Sequence, residues 1–235
     1  MKQEPDIIRG ATAAETWRAC ASHLLSGGDR LNLVVHISEP GNVDMNMLRK
    51  LDPKSVENDV MSVFDVATTI FPHPSARWQL AAPQFVTHYL PAYARLKRRN
   101  NSGWGFYFQR LGRFGNSGTP QLARIVEGLS GWGHGHHGAF VVHISSAETD
   151  KPRPQGGPCW QYGQFMADGD RLSLAAVYRS HDYFHKALGN FVGLSRLLSY
   201  VCSKSGHSVG TLTCLSTYAF LGARKAATAR LLNVK

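Results

Sequence analysis

The chain is organised around the run Gly156-Gly-Pro-Cys-Trp-Gln-Tyr-Gly-Gln-Phe165, which is followed by Tyr178-Arg-Ser-His-Asp182. Residues 160–166 and 171–178 are predicted strands, and Asp168-Gly169 between them is a hairpin turn signal. The first strand follows a thiol in a Pro-Cys turn, and the second ends at an Arg-Ser pair suited to holding a phosphate. Thiol chemistry requires the thiolate, and a nearby cation both lowers the pKa of a thiol and can bind an anionic substrate.

Each of these residues also has an ordinary structural interpretation. A single cysteine in a chain that contains four is usually a small buried hydrophobe. An Arg-Ser pair by itself is a weaker signal still. The ordered set of residues, rather than any one member, therefore favours a functional site.

The composition indicates a globular protein of one domain. The chain has 235 residues, enough for one substantial core, and 43% of them are hydrophobic. No apolar run approaches the roughly 20 residues of a membrane span, and no signal-peptide core follows the N-terminus. We expect a soluble, cytoplasmic protein without a membrane partner.

The charge favours anionic partners, because the formal net charge is +10 and the isoelectric point about 9.7. The basic residues are scattered apart from Arg95-Leu-Lys-Arg-Arg99, and no nucleic-acid-binding motif stands out. Nucleotides or polyanionic cofactors are therefore the expected partners, and nucleic acid is not.

The cysteines and histidines do not predict a metal site. No CxxC pair or zinc-ligand spacing occurs, which is typical of reduced thiols in a cytosolic protein. Three histidines lie within Gly133-His-Gly-His-His137, but no carboxylate or cysteine is near them in sequence. Phosphate contact or a plain loop is the preferred interpretation, and no metal is predicted.

The residue patterns predict one α+β domain over 1–235. Residues 72–103, with prolines at their start and a basic end, are predicted to form a loop-rich insert. Helices are predicted over 11–26, 55–70 with Ser55 as the cap, 121–129 and 191–202, and further strands over 31–37, 139–144 and 209–220.

Together these motifs resemble the C-terminal half of thymidylate synthases and their pyrimidine hydroxymethylase relatives. Pro158-Cys159, Gln164-Phe165, Arg179-Ser180, Asp182 and Asn190 fall in register with the family signature Pro-Cys-His-x-x-x-Gln-Phe, then Gln-Arg-Ser-x-Asp and an Asn. The resemblance covers residues 104–220 and is strongest over 157–202. It implies a mixed, largely antiparallel sheet flanked by helices, and a homodimer with a shared site.

The resemblance implies a covalent reaction on a pyrimidine nucleoside monophosphate. Cys159 would add to C6 of the ring, and C5 would attack the one-carbon unit of 5,10-methylenetetrahydrofolate. Arg179 would bind the 5′-phosphate and help to keep Cys159 ionised, and Ser180 would donate to the same phosphate.

The remaining family positions concern the base, the ribose and the folate. Asn190 would read the base edge and favours a uracil-type base, although an amide can flip. Asp182 would contact the base or the pterin, and Tyr218 the ribose. The run Trp104-Gly-Phe-Tyr107-Phe-Gln-Arg110 stands where the family has its Tyr-Gly and Trp-Arg stretch, which would put Tyr107 or Arg110 at the catalytic site and Trp104 at the cofactor.

Several departures from the family pattern accompany this match. Trp160 replaces the histidine after the nucleophile, and Ser216 replaces the histidine before the tyrosine. His136 and His137 fall near the two arginines that reach the phosphate from the partner subunit. The family's catalytic glutamate has no clear counterpart, and Glu57 is the candidate.

The sequence leaves the type of activity open. A methylase and a hydroxymethylase are equally compatible with the motifs, as are ribo- and deoxyribonucleotides. The altered residues motivate an alternative, a nucleotide-binding or regulatory protein on the same fold.

Overall fold

The computed structural model describes residues 4–99, 103–131, 138–150 and 156–233. Within these residues the chain forms a seven-stranded sheet flanked by helices. The predicted α+β class, in a single domain, is confirmed. None of the described helices is long and apolar enough to cross a membrane.

The elements alternate along the chain. The strands are β1 Ile7–Gly10, β2 Arg30–Ile37, β3 Phe140–His143, β4 Trp160–Asp168, β5 Arg171–Tyr178, β6 His181–Asp182 and β7 Ser208–Phe220. The helices are α1 Ala13–Gly27, α2 Met45–Lys50, α3 Val63–Ile70, α4 Ala82–Arg99, α5 Tyr107–Gly112, α6 Gln121–Gly131, α7 Leu188–Ser205 and α8 Lys225–Leu232. Short 3₁₀ turns occupy Pro53–Ser55, Ala76–Gln79 and Gly222–Arg224, and a π-helical turn, Tyr183–Ala187, leads directly into α7.

The sheet is mixed, with strand order β1-β2-β7-β5-β4-β3 and β6 paired to β7. The predicted hairpin is present as antiparallel β4 and β5, and Gly169 in its turn has a φ of 57°. β5 and β7 are parallel because the chain crosses between them through α7. The predicted mixed sheet is confirmed, but it is less antiparallel than expected, since β1–β2 and β6–β7 are parallel as well.

The two faces of the sheet differ in exposure, because side chains alternate along β5 and β7. Leu174 and Leu212 lie on the buried face, against the helical layer. Val177 and Leu215 lie on the opposite face and stay half-exposed. The core therefore sits between the sheet and the helices.

Helix α7 lies close to α3, and two glycines permit this approach. A Cβ atom on Gly189 would lie 2.5 Å from Cβ of Val66, and one on Gly193 would lie 2.7 Å from the carbonyl oxygen of Ala67. Interiors are close-packed, so larger side chains at these positions would push the helices apart. The contact brings the first turn of α7 beside α3.

Two predicted segments differ in the structure. The helix predicted over 55–70 begins only at Val63, because the Ser62 side chain accepts from the backbone N–H of Asp65 and caps it there. The predicted loop-rich insert over 72–103 contains the 18-residue helix α4. The early prolines precede this helix, and Pro91 lies within it.

Candidate active site

The β4–β5 hairpin brings the two signature runs together. Trp160 pairs in register with Tyr178, so the residues one step beyond them meet at the same end of the sheet. There the backbone N–H of Arg179 donates to the carbonyl oxygen of Cys159 at 2.9 Å. Strand register thus explains why a cysteine and an arginine from separate motifs are neighbours.

Two cavities adjoin this end of the hairpin and share Trp104 and Gly157 as wall residues. The first, of about 320 Å³, is bordered by Arg179. The second, of about 240 Å³, contains the thiol. Its wall comprises Met61, Val66, Thr69, Trp104, Gly105, Phe106, Tyr107, Gly157, Cys159, Ser180, His181, Asp182, Lys186, Asn190 and Phe220.

Cys159 is half-buried at the edge of this second cavity. Burial raises the pKa of its thiol, Arg179 and Lys186 lower it, and Asp182 raises it further. Arg179 thus acts in the predicted direction, but burial outweighs it. The thiol form predominates at neutral pH.

The side chain of Arg179 braces the loop in front of Cys159. Its Nε donates to the carbonyl oxygen of Pro158 and its Nη2 to that of Gly156, both at 3.2 Å. Gly156 and Gly157 have φ values of 77° and 92°, a region that favours glycine. Arg179 therefore shapes the thiol loop as well as placing a charge beside the thiol.

Tyr107 holds the backbone at Cys159 and Trp160 through its side-chain hydroxyl. Its hydroxyl oxygen accepts from the backbone N–H of Cys159 at 3.2 Å and from that of Trp160 at 3.4 Å. The ring is buried between Trp104 and Trp160, with centroids 4.9 and 5.7 Å away. Burial raises the pKa of Tyr107, so its hydroxyl keeps its proton.

A buried polar chain leads away from Asn190, which lines the thiol cavity. Asn190 Nδ2 lies 3.0 Å from His181 Nε2, and His181 Nδ1 lies 2.9 Å from Ser216 Oγ. The His181 ring stacks on Tyr178, with centroids 4.0 Å apart. Burial lowers the pKa of His181 to about 3, against a smaller opposing effect of Asp182, so the ring is neutral.

The neutral ring fixes the direction of these hydrogen bonds. With Nε2 accepting from the Asn190 amide, the proton resides on Nδ1 and is donated to Ser216. Asn190 then keeps its carbonyl oxygen and one N–H for a ligand. Ser216, at the position where the family has a histidine, thus accepts a hydrogen bond in this buried polar network.

Asp182 also lines the cavity, but its carboxylate is engaged. Oδ1 accepts from the backbone N–H groups of Phe184 and His185, which begins the π-helical turn. Oδ2 lies 2.7 Å from Nδ1 of His185. Asp182 thus holds the turn that presents Lys186 and Asn190.

Lys186 is a cation of the cavity wall that the sequence does not assign to the site. Its Nζ lies 3.3 Å from the sulfur of Met61, and it forms no ion pair with any described residue. The side chain is exposed, while desolvation of its ammonium lowers its pKa and Asp182 and Cys159 oppose this. Lys186 belongs to the turn before Asn190, where the sequence departs from the family pattern. This departure was the sequence feature that could have pointed to Lys186.

Four predicted site positions lie away from the thiol cavity or outside the described residues. Tyr218 is exposed and its hydroxyl donates to Asp29 at 2.7 Å. Glu57 pairs with Arg224 at 3.3 Å and does not line the cavity. The residues at 136–137 lie outside the described residues. Among the described lining residues, Asp182 is the only acid.

The comparisons with known proteins agree with this architecture. No family model matches the chain. A protein of Methanococcoides burtonii named "Putative thymidylate synthase" is 30% identical over 115 residues, which is 49% of this chain and 51% of that protein. A Methanosarcina barkeri protein of the same name is 36% identical over the same shares. A Methanosarcina mazei protein, also so named, is 30% identical over 47% of this chain and 49% of its own.

About half of this chain is thus similar to proteins named putative thymidylate synthase, which supports a resemblance to thymidylate synthase-like proteins. The chain spans about half the length of the curated relatives it matches.

Proposed function

We propose that the protein transfers a one-carbon unit to C5 of a uracil-type pyrimidine nucleotide through a covalent adduct of Cys159. One observation carries the proposal: a half-buried thiol and the amide of Asn190 line the same cavity of about 240 Å³. This chemistry requires a nucleophile for C6 and an amide that recognises the edge of the base, separated by no more than one pyrimidine ring.

The first step is addition of the Cys159 thiolate to C6. This forms an S–C6 bond, breaks the C5–C6 double bond and moves the electron pair toward C5 and O4. Arg179 and Lys186 both lower the pKa of Cys159, so both favour the attacking form. The Lys186 ammonium also stabilises negative charge on O4, because a cation in a partly desolvated cavity acts strongly.

Asn190 orients the base. With one N–H donated to His181, its carbonyl oxygen accepts from N3–H of uracil and its other N–H donates to O4. Cytosine presents an acceptor at N3 and a donor at C4, the opposite pattern. The fixed amide therefore favours uracil.

The second step would join C5 to the one-carbon unit, with cleavage of the carbon–nitrogen bonds that hold this unit to its carrier and release of the C5 proton. Addition of a hydride, for methylation, or of water, for hydroxymethylation, to that carbon then re-forms the C5–C6 double bond, breaks the S–C6 bond and returns Cys159 as the thiolate. Methylenetetrahydrofolate supplies the one-carbon unit and, for methylation, the hydride. The residues fit such a partner, since Trp104, Phe106 and Phe220 offer aromatic walls to a flat ring. The released proton goes to water or to a carboxylate, of which Asp182 is the one described in the cavity wall.

The phosphate of the nucleotide would lie toward the adjoining cavity of about 320 Å³, where Arg179 borders the shared wall. A guanidinium there donates charge-assisted hydrogen bonds to phosphate oxygens. Ser180, which lines the thiol cavity next to Arg179, is a further donor.

A homodimer is part of the proposal. The half-exposed face of the sheet, where Val177 and Leu215 lie among serine and threonine side chains, is the surface that a second copy would cover. Leu215→Lys should convert a dimer to a monomer in light scattering. A wild-type protein that is monomeric at micromolar concentration would contradict this part.

A second candidate is a nucleotide-binding protein without turnover. The specific observation in its favour is that burial raises the pKa of Cys159, while the candidate glutamate, Glu57, pairs with Arg224 instead of lining the cavity. On this reading Arg179 and Asn190 bind the nucleotide and no covalent step follows.

One experiment distinguishes the two candidates. The protein is incubated with 5-fluoro-2′-deoxyuridine monophosphate, with and without methylenetetrahydrofolate, and its intact mass is measured. The proposed enzyme gives an adduct that disappears in Cys159→Ser and persists in Cys202→Ser, whose thiol is buried elsewhere. Nucleotide binding without any adduct, also with the ribose and cytosine analogues, would leave only the second candidate.

A further inference from the structure

A third cavity, of about 270 Å³, lies beside α3 and α7 and shares no described wall residue with the two cavities at the hairpin. Its walls are largely apolar and include Leu48, Phe64 and Val192. At its mouth, Val43 and Met45 are 47% and 37% exposed, unusual for large hydrophobic side chains. The cavity thus offers an apolar interior open to solvent.

One wall residue of this cavity is a buried cation. Arg196 is only 7% exposed. Its Nη1 reaches Thr68 Oγ1 at 3.5 Å, which is long for a hydrogen bond. The guanidinium forms no ion pair with any residue in the described ranges.

A buried charge without a counter-charge is costly, and proteins ordinarily pair it. Desolvation lowers the pKa of Arg196 to about 10, against the opposing effect of Tyr93, so the side chain remains charged at neutral pH. The fold therefore maintains a desolvated positive charge at the wall of an apolar cavity.

A second donor group of the same cavity has no hydrogen-bond partner among the described residues. The Nε1–H of Trp78 is buried and has no hydrogen-bond acceptor among the described residues. The indole is held edge-on to Phe71 and Tyr200, with centroids 5.7 and 5.6 Å away. Buried donors are nearly always satisfied, so an unsatisfied indole N–H at the same cavity as a guanidinium without a counter-charge points to an absent anionic acceptor.

We propose that this cavity binds a small amphipathic carboxylate, with its anionic head toward Arg196 and Trp78 and its apolar body along the apolar walls. A single guanidinium balances one negative charge and matches a carboxylate in a two-point contact. The apolar walls and mouth suit a short hydrocarbon or aromatic body rather than a bare inorganic anion. This inference does not depend on the proposed reaction, since the cavities share no described residue.

The test uses hexanoate as the probe, with 1-hexanol and inorganic phosphate as matched comparisons. In protein labelled with ¹⁵N-tryptophan, hexanoate should shift the indole resonance that disappears in Trp78→Phe, and the shift should saturate. Hexanol should bind at least about tenfold more weakly, the worth of a charge-assisted contact. Equal binding of hexanol, or an equal shift by phosphate, would overturn the proposal.

Two variants probe the site from opposite ends. Arg196→Met should weaken hexanoate binding at least about tenfold, while the unliganded protein stays as stable or becomes more so, because an unpaired buried charge is removed. Arg124→Met, which removes an exposed arginine of α6, should bind like wild type. Val43→Asp places a carboxylate at the mouth without altering α7 and should also weaken binding, which covers the case that Arg196→Met fails to fold. Wild-type affinity in either cavity variant would refute the proposal.

Discussion

Asn190 donates from its side-chain amide to the buried, neutral ring of His181, with 3.0 Å between Nδ2 and Nε2. This bond leaves the carbonyl oxygen and the second N–H of the Asn190 amide for a ligand. The Asn190 amide, which could otherwise flip, is thereby held in one orientation for hydrogen bonding to a base.

Replacing His181 should relax the discrimination between bases. His181→Phe retains a ring against Tyr178 but removes the acceptor for Asn190. We expect the ratio of uracil to cytosine nucleotide affinity to fall about tenfold, the equivalent of one hydrogen bond. Calorimetric titration with both nucleotides measures this ratio. His207→Phe, a half-buried histidine outside the cavity, should leave the ratio unchanged.

The same histidine should make stability depend on pH. Its folded-state pKa of about 3 lies below the ordinary 6.5, so between these values only the unfolded state binds the proton. Stability is therefore lost as pH falls below 6.5, at a limiting slope of about 1.4 kcal/mol per pH unit for one proton. Urea denaturation of wild type and His181→Phe between pH 7 and pH 5 isolates this contribution. Parallel curves for the two proteins would contradict the buried, neutral ring.

Tyr107→Phe should destabilise the protein. The Tyr107 hydroxyl accepts from two backbone N–H groups, and the buried one, of Trp160, would lose its acceptor. We expect a loss of about 1–3 kcal/mol in the free energy of unfolding. Tyr218→Phe is the matched control, because its hydroxyl is exposed and its removal should cost less than about 0.5 kcal/mol. Equal losses in the two variants would mean that the loop does not need the Tyr107 hydroxyl.

Lys186→Met should make Cys159 less reactive at neutral pH. The lysine lowers the pKa of the thiol, so its loss moves the midpoint of the pH–rate profile upward. Alkylation by iodoacetamide, followed by mass spectrometry at residue 159, gives this profile. Lys204→Met removes a lysine that donates to the carbonyl oxygen of Gln79, away from the cavity, and should leave the midpoint in place. An unchanged midpoint in Lys186→Met would show that the lysine does not influence the pKa of the Cys159 thiol.

The hairpin was predictable from sequence because its signals are local. Asp168-Gly169 marks the turn, and two β-rich runs flank it, so the meeting of Cys159 with Arg179 follows from strand pairing. Asn190 was reached through the family resemblance and does line the cavity. Turn chemistry and register therefore account for the central part of the site.

The surroundings of Tyr218 and Lys186 were harder to predict from the sequence. Tyr218 pairs across the sheet with Leu31 at an exposed end, where Asp29 takes its hydroxyl. The role of Lys186 depends on the π-helical turn that Asp182 initiates. The contact of Tyr218 with Asp29 joins segments far apart in the sequence, whereas the turn at Lys186 is held by local hydrogen bonds whose effect on the cavity depends on the packing around it.

The crossover from β5 through α7 to β7 has a consequence for how the site assembles. Cys159 and Arg179 are joined by one hairpin, whose contacts close a short loop and form early in folding. The Asn190–His181–Ser216 chain needs β7 to dock beside β5, a contact between distant segments that forms later. We therefore expect the nucleophile and its cation to be in place in a partly folded chain before the base can be recognised, so that selectivity is the last property the protein acquires.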